Sequence, residues 1–427
     1  MQLHDTLSKT TKTLPQSVTW YTCGPTVYDH AHIGHARTYL TVDSIRKAMT
    51  ELLGMRVQLA MNITDIDDKI IQKCGSNDPV AVREYAQHWE QEFFKDCGAL
   101  GITAPDSVVR VSESIQDIID YITKLIQKGF ARVTPEGDVV FNYSEFTREF
   151  PNVPSFANGC CDPESADFAL WKANRGGYSS PWSIGRPGWH IECSAMIYKL
   201  FGESGVTIHS GGCDLKFPHH ENEMLQCYAL TGRDLSQVWF HTGHLNIQGC
   251  KMSKSLKNFI TVKDALAQYS ARVLRLYFMT HKWQSDLDYS DSGLQESKQL
   301  DSVIQDYINW IPYTDCEFLS EQKFTNSVKE FLLDNFNFSG MFRMIHDTVK
   351  HRTVHPNTVY SVLTKLGFGY TCDANNRQDQ VLDLLIQFRT NVRNLCKQKA
   401  SYSELFKLCD KLRDVDLKQI GINIDDK

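Results

Sequence analysis

The sequence predicts an α/β fold, a doubly wound parallel sheet that is interrupted by an insertion and followed by an α-helical C-terminal domain. The first observation is a strand–helix–strand unit, in which an apolar run over residues 18–22 ends at a Gly-Pro break before a long helical pattern. The second is a similar pattern after residue 188, with a strand expected over residues 206–209. The third is the dominance of helical periods beyond Asp264.

The composition describes an ordinary globular protein of several domains. The chain has 427 residues, 42% hydrophobic and 22% charged, and this length exceeds what one hydrophobic core usually organises. A net charge of −6 argues against a protein that coats nucleic acid but allows a local basic face. The 13 cysteines lack the spacing of a disulfide scaffold, which favours reduced thiols and a cytoplasmic location. No apolar run approaches the roughly 20 residues of a membrane span.

We assign residues 1–104 to the first half of the sheet. A helical apolar pattern begins at Ile33 and ends at Gly54. The alternation over residues 57–61 then predicts a strand, which runs into Asn62-Ile-Thr-Asp-Ile-Asp-Asp-Lys69. Because doubly wound folds bind ligands beyond the carboxyl ends of their strands, these polar residues are expected to face a ligand.

Helix and turn signals give the remaining boundaries. One helix is expected from Asp78-Pro79 to Gly98, and another from a cap at Ser112 to Gly129, before a hairpin around residues 134–137. We therefore expect an insertion over residues 105–187 and the second half of the sheet over 188–262. A linker region over 263–299 and a helical domain over 300–427 should follow.

Two histidines open the first long helix and suggest a phosphate site. His32 and His35 flank Gly34 just after the predicted strand and its Gly-Pro turn. A helix N-terminus offers free N–H groups and a positive dipole end, which suit phosphate. Imidazoles placed there can donate to phosphate oxygens as charge develops. In isolation such a pair more often belongs to the surface or the core, and only the strand–turn–helix context favours the phosphate interpretation.

A second segment, Lys251-Met-Ser-Lys-Ser255, carries two lysines and two hydroxyls beside Gly249. Lysines in such a loop neutralise the charge on a leaving pyrophosphate, although alone the segment would be interpreted as a basic surface turn. The two segments together resemble the paired signatures of the class I aminoacyl-tRNA synthetases. This resemblance implies a Rossmann-type catalytic domain in which His32, Gly34, His35 and Lys254 bind ATP with Mg²⁺. It also implies catalytic roles for His32, His35, Lys251 and Lys254.

A zinc site is a further hypothesis. His219 and Glu223 lie four apart, on one face of a predicted helix, and Cys23 and Cys193 offer thiolates from distant positions. Two cysteines, one histidine and one glutamate form a plausible zinc set, but ligands so far apart are not a spacing signal.

Longer segments identify the subfamily. Five of them resemble cysteinyl-tRNA synthetases: Cys23-Gly-Pro-Thr-Val-Tyr-Asp29, Asn62-Ile-Thr-Asp-Ile-Asp-Asp-Lys69, Asp167-Phe-Ala-Leu-Trp-Lys172, Gly185-Arg-Pro-Gly-Trp-His-Ile-Glu-Cys-Ser-Ala-Met196 and Phe217-Pro-His-His-Glu-Asn-Glu223. The resemblance implies that one zinc ion is held in the amino-acid pocket by Cys23, Cys193, His219 and Glu223. It implies further that the cysteine pocket is lined by Thr64, Trp189, His209 and Asp214.

The resemblance also implies a reaction, in which L-cysteine attacks ATP to form cysteinyl-adenylate and is then transferred to the 3′ adenosine of tRNA(Cys). Zinc would select cysteine over serine, because thiolate is a far better zinc ligand than a neutral hydroxyl. Region 263–299 would contact the tRNA stem, and we expect a monomer. Two alternatives are a cysteine ligase of the same fold that acts on an amino sugar, and a catalytically silent tRNA-binding paralogue.

A basic stripe in the C-terminal domain is a candidate tRNA contact. Arg389, Arg393 and Lys397 recur at four-residue spacing and therefore share one helical face. The simpler interpretation of such a stripe is a solvated face, and the sequence leaves both open.

Overall fold

The computed structural model describes residues 1–76, 78–156, 167–247, 249–251, 258–310, 317–372, 374–420, 422 and 424. Its strands are β1 (Gln2–Asp5), β2 (Thr10–Thr13), β3 (Ser17–Thr22), β4 (Arg56–Ile63), β5 (Ser107–Arg110), β6 (Ala131–Val133), β7 (Val139–Phe141), β8 (Ala169–Ser179), β9 (Ile184–Pro187), β10 (Val206–Gly212), β11 (Ser236–Thr242), β12 (Leu245–Ile247), β13 (Cys250–Lys251) and β14 (Leu287–Tyr289).

Its α-helices are α1 (Ile33–Lys47), α2 (Asp68–Cys74), α3 (Pro79–Ala99), α4 (Ile115–Gln127), α5 (Tyr143–Glu149), α6 (Trp189–Phe201), α7 (Glu221–Thr231), α8 (Val262–Gln268), α9 (Ala271–Met279), α10 (Asp291–Asn309), α11 (Glu321–Leu333), α12 (Phe338–His351), α13 (Pro356–Lys365), α14 (Ala374–Lys397), α15 (Tyr402–Lys411) and α16 (Leu417–Gln419). None of the described helices is long and apolar enough to cross a membrane.

The central sheet has five strands in the order β11-β10-β3-β4-β5, and every neighbouring pair is parallel. The chain leaves β3 toward β4 in one direction, and β10 and β11 lie on the other side. The predicted doubly wound sheet is therefore confirmed. Its switch point lies between the carboxyl ends of β3 and β10, where such folds bind ligands. Cys23 follows β3 and Cys213 follows β10 at this point.

Alternation along the strands divides the core between the two faces of the sheet. Trp20 and Leu59 belong to one cluster of buried side chains, which continues through α1 into the C-terminal helices. Tyr21 and Ala60, one residue further along the same strands, belong to a second cluster that includes side chains of α4, α6 and α7. Each face of the sheet is thus covered by helices, as expected for buried parallel strands.

The helix that follows β3 begins at the predicted place. His32 is its N-cap, with extended backbone angles, and the pattern set by Ile33 buries one face against the sheet. The α-helix ends at Lys47 and continues as a π-helical turn over Ala48–Leu52. The chain then reverses at Gly54, whose φ of +66° suits glycine.

The predicted insertion contains a separate antiparallel sheet in the order β6-β7-β8-β9. The range 105–187 also includes β5, which pairs with β4 in the central sheet, so that part of the range belongs to the main domain. Ser112 does not cap α4 as expected, because its N–H and hydroxyl both bond the Asp65 carboxylate and the helix begins after Ser114.

The C-terminal part is helical beyond β14, as predicted. Helices α9, α10, α12 and α13 pack together on the first core cluster. Helices α14 and α15 pack on each other, and no residue of α15 is buried.

Candidate active site and metal centre

A cavity of about 340 Å³ opens at the switch point of the sheet. Its lining includes Cys23 and Trp189 from the predicted metal end and His32, Gly34 and His35 from the predicted phosphate end. Its remaining wall includes Gly243 and His244 in the turn after β11, and Leu245 at the start of β12. One cavity therefore joins the predicted metal end to the predicted phosphate end.

The two signature histidines form a reciprocal cap on α1. The His35 N–H donates to Nδ1 of His32 at 3.2 Å, and the His32 N–H donates to Nδ1 of His35 at 3.4 Å. Their rings stack with centroids 3.6 Å apart. Since both Nδ1 atoms accept backbone hydrogens, the neutral rings carry their proton on Nε2 and present it as a donor.

Burial lowers the pKa of His35 to about 4, although the Asp214 carboxylate opposes the shift. His35 is therefore neutral at physiological pH and would act on a phosphate through an N–H group rather than a charge. Among the described residues that line the cavity, Lys69 is the one lysine or arginine, and sequence reasoning did not select it.

Four buried side chains, one of which is Cys23, converge in one cluster. Ligand atoms of Cys23, His219, His220 and Glu223 all lie within 4.8 Å of one another. Nε2 of His219 is 3.0 Å from Oε1 of Glu223, and Sγ of Cys193 is 3.9 Å from Sγ of Cys23. Three of the four predicted ligands thus belong to the tightest cluster, and Cys193 adjoins it.

The chemistry of this group fits a divalent metal. Burial raises the pKa of Cys23 well above its ordinary value, and the Cys193 thiol raises it further. Burial also raises the pKa of Glu223, although His209 opposes the shift. Among the described residues, Oε1 of Glu223 accepts no hydrogen bond of good geometry. A bound dication would stabilise the charged forms and occupy this oxygen.

His220 is the functional candidate that sequence reasoning missed. Its Nε2 lies 3.3 Å from Sγ of Cys23, and its Nδ1 lies 2.7 Å from Nε2 of His241. Both imidazoles are buried, and burial lowers the pKa of each well below its ordinary value. Neutral imidazole is the form that binds metals, so His220 is either a ligand or a neighbour that orients Cys23.

The four predicted cysteine-pocket residues fall into two groups. Trp189 and Asp214 line the cavity, and the Trp189 ring stacks on His219 with centroids 4.3 Å apart. His209 and Thr64 are buried and do not line the cavity. Nε2 of His209 is 2.7 Å from Oε2 of Glu223, and the Thr64 backbone bonds the loop after β3 at both its N–H and its carbonyl.

The remaining predicted residues are two lysines and the three cations of the basic stripe. Lys254 lies outside the described residues. Lys251 belongs to β13, and its backbone pairs opposite Asn246. Arg389, Arg393 and Lys397 are exposed on α14.

The chain matches the family model described as tRNA synthetases class I (C) catalytic domain over residues 9–299. It is 36% identical to the cytoplasmic cysteine–tRNA ligase of Dictyostelium discoideum, over 96% of this chain and 73% of that protein. It is also 36% identical to the cysteine–tRNA ligase of Thermococcus onnurineus, over 96% of this chain and 93% of that one.

Among solved structures, the chain resembles methionyl-tRNA synthetase of Mycobacterium tuberculosis in complex with methionyl-adenylate. The TM-score is 0.57 at 14% identity, covering 87% of this chain and 84% of the other. At that identity the likeness concerns the fold alone.

Proposed function

The chain belongs to the cysteine–tRNA ligases of the class I tRNA synthetase family, and from this premise we propose that it joins L-cysteine to tRNA(Cys) with ATP. The observation that carries the proposal is the single cavity with a buried Cys/His/Glu cluster at one end and the His32–His35 turn at the other. A cysteine side chain held at the first end would leave its carboxylate directed toward a nucleotide at the second.

In the first step, the cysteine carboxylate attacks the α-phosphate and pyrophosphate leaves. His32 and His35 donate from Nε2 to phosphate oxygens, with the Gly34 backbone at the helix N-terminus. Lys251 and Lys254 neutralise the leaving pyrophosphate, and Mg²⁺ accompanies the ATP. Lys69 adds a further cation at the cavity wall.

In the amino-acid pocket, Cys23, Cys193, His219 and Glu223 would hold one zinc ion. A zinc ion bound there would act as a Lewis acid that prefers sulfur to a neutral hydroxyl, and would thereby select cysteine over serine. Trp189 covers the His219 ring, Asp214 forms the cavity wall, and His209 fixes Glu223. Thr64 supports the loop that carries Cys23.

In the second step, the 3′ adenosine hydroxyl of the tRNA takes the cysteinyl group. Residues 1–104 and 188–262 supply the catalytic sheet, and we restrict the insertion to the part of 105–187 that follows β5. Region 263–299 contacts the tRNA stem, and the helical region 300–427 contacts its anticodon side through Arg389, Arg393 and Lys397 on α14.

The alternatives of an amino-sugar acceptor and a silent paralogue receive no support, since the Dictyostelium and Thermococcus relatives are both named as cysteine–tRNA ligases. We propose a monomer, which light scattering tests. A cytoplasmic location is supported by the name of the Dictyostelium relative.

Cysteine-dependent exchange between ATP and pyrophosphate tests the proposal. Purified protein should catalyse exchange with cysteine, and with serine at a rate on the order of a thousandfold lower, because a metal that binds sulfur rejects the hydroxyl. Absence of cysteine-dependent exchange would refute the proposed enzymatic activity. Comparable exchange with serine would refute only the proposal that zinc selects cysteine. Charging of a tRNA(Cys) transcript tests the second step.

A further inference from the structure

Arg37 is a buried cation that the signature motifs do not include. It lies on α1 two residues after His35, and its side chain is only 2% exposed. Burial lowers its pKa to about 10, so the guanidinium remains charged at neutral pH. Desolvating such a charge is costly unless its donors find acceptors.

Its hydrogen-bond acceptors among the described residues are backbone carbonyls of two other segments. Nη1 donates to the Gly243 carbonyl at 3.0 Å and to the His244 carbonyl at 2.5 Å. Nη2 donates to the carbonyls of Ser285 and, at 3.4 Å, Lys282. One planar group therefore joins α1 to the turn after β11 and to the segment before β14.

The first of these segments is part of the active-site cavity. Gly243 and His244 line it, as do His32 and His35. The turn is also pressed against the second segment, because a Cβ on Gly243 would lie 2.2 Å from the Ser285 carbonyl oxygen. The position of this cavity wall thus depends on both sets of Arg37 hydrogen bonds.

The same turn leads to the strand that carries Lys251. β12 follows His244 directly, pairs with β14 through Leu245 and Leu287, and pairs with β13 through Asn246 and Lys251. Arg37 is therefore connected to both signature segments. It lies on the same helix as His35, and the turn that it bonds leads into the paired strands β12, β13 and β14, of which β13 contains Lys251.

We propose that Arg37 is a positioning residue that sets the nucleotide end of the cavity, by fixing the Gly243–His244 wall and β12 against the His32–His35 turn. The proposal rests on the proposed function, in which this end of the cavity takes ATP. It assigns Arg37 to ATP binding and not to cysteine or metal binding, since none of these four carbonyls belongs to the metal end.

The variant Arg37→Lys tests it, because an ammonium keeps the charge but cannot span two segments as a planar fork does. We expect KM for ATP to rise about tenfold or more, since a displaced wall no longer fits the nucleotide. KM for cysteine should stay within about twofold and bound zinc at the wild-type level, because the metal end is unchanged. Calorimetry with a non-hydrolysable ATP analogue measures the same weakening without catalysis.

Arg275→Lys is the matched control. Arg275 is also buried, and it bonds Asp43, Ser44 and the Gly101 carbonyl, none of which lines the cavity. This variant should lower the melting temperature and leave KM for ATP unchanged. Should Arg37→Lys fail to fold, Arg37→Gln, which keeps two N–H donors without the charge, is measured in the same way.

Equal increases in both KM values, or unchanged ATP affinity with a melting temperature lowered as in Arg275→Lys, would overturn the proposal and leave Arg37 a purely structural residue. The calorimetric measurement separates the two hypotheses. If the wild-type chain binds the ATP analogue but shows no cysteine-dependent exchange, the proposed function fails while the role of Arg37 is still tested.

Discussion

Cys193 and His220 compete for the same place beside Cys23. Two sulfur ligands about 2.3 Å from a tetrahedral zinc are about 3.8 Å apart, and the observed separation of the Cys23 and Cys193 sulfurs is 3.9 Å. Nε2 of His220 lies 3.3 Å from Sγ of Cys23 but 4.0 Å from Oε1 of Glu223, and the hydrogen bond between its Nδ1 and His241 suits a ligand as well as an orienting neighbour. From the separation of the two sulfurs, we propose that Cys193 is the ligand and His220 an orienting neighbour.

Metal analysis of two single variants tests this assignment. Cys193→Ser should lose most of its zinc, because a neutral hydroxyl replaces a thiolate, whereas His220→Asn should retain about one zinc per chain with an affinity lowered about 10- to 100-fold, as expected for an orienting group. The reverse pattern would make His220 the ligand. Zinc per chain after dialysis against a weak chelator, measured by atomic emission, distinguishes these outcomes.

Sequence reasoning selected Cys23, His219 and Glu223 but had no reason to select His220. The prediction assumed an ordinary helix, in which neighbouring residues point in different directions. The chain is instead kinked at Phe217, whose backbone is extended (φ −140°, ψ 131°), between residues 213–216 and the start of α7. Both histidines are consequently buried in the same cluster. Such a local departure from helical geometry leaves no periodic signal in the sequence.

At the scale of elements, the loop between β3 and α1 is held by close backbone packing. A Cβ on Gly24 would lie 1.7 Å from the Asn62 carbonyl oxygen, and the Gly24 N–H donates to the Asn62 side chain at 2.9 Å. This close approach sets the distance between Cys23, which precedes it, and the turn that leads to His32.

Gly24→Ala should therefore reduce both stability and activity. Pushing the loop away from Asn62 to make room for a methyl group should lower the free energy of unfolding by about 1 to 3 kcal/mol. It should also displace Cys23 from His219 and Glu223. Gly98→Ala is the control, because nothing lies within 4 Å of its Cβ position in α3, and its stability should be unchanged or up to about 1 kcal/mol higher. Urea unfolding and the exchange assay report on each; equal behaviour of the two variants contradicts the prediction.

Helix α14 carries the proposed tRNA-binding stripe. Arg389, Arg393 and Lys397 are exposed, and the neighbouring helix α15 exposes Tyr402 and Phe406 by 83% and 70%. Exposed aromatic rings beside cations are typical of surfaces that bind unpaired bases.

Replacing the three cations of α14 by glutamine should weaken tRNA binding. The slope of log K against log salt should become shallower by about 0.7 to 0.9 for each phosphate that the protein no longer neutralises. A matched triple variant at Lys323, Lys350 and Lys365, which are exposed on three other helices, removes the same net charge. Filter binding at several salt concentrations compares them. Equal slopes in the two variants would indicate that the α14 stripe is a solvated face that does not bind tRNA.

The elements that sequence reasoning placed correctly carry clear local signals, such as the alternation over residues 57–61 in β4 and the Asp78-Pro79 start of α3. β5 was missed because it has only four residues, and its pairing with β4 is a long-range interaction. The aspartates after β4 were expected to face a ligand. Asp65 instead bonds Ser112, Asp67 caps α2, and Asp68 pairs with Arg186. Local chemistry alone does not distinguish a capping carboxylate from one that binds a ligand.

At the scale of the whole molecule, a buried ion network joins helix α1, which packs on the central sheet, to helix α9. Asp43 on α1 accepts from Arg275 on α9 at 2.7 Å and from Lys47 at 2.6 Å. Burial alone would raise the pKa of Asp43, but Arg275 and Lys47 outweigh it and hold the pKa below its ordinary value. Removing one member leaves a buried charge without its partner.

Asp43→Asn should lower the free energy of unfolding at neutral pH by about 3 to 5 kcal/mol, because Arg275 then stays buried beside an uncharged amide. The variant Asp117→Asn, which breaks the half-exposed pair with Lys199, should lose less than about 1 kcal/mol.

Because the folded pKa of Asp43 is depressed, the unfolded chain binds its proton first as pH falls. The stabilisation is fully present above the unfolded pKa of about 4 and is lost as pH falls through the lower folded value. The difference between wild type and Asp43→Asn should accordingly be constant from pH 8 to about pH 5 and shrink below about pH 4. Urea unfolding across this range measures it, and a difference that grows on acidification would show that Asp43 is not an ionised partner of Arg275.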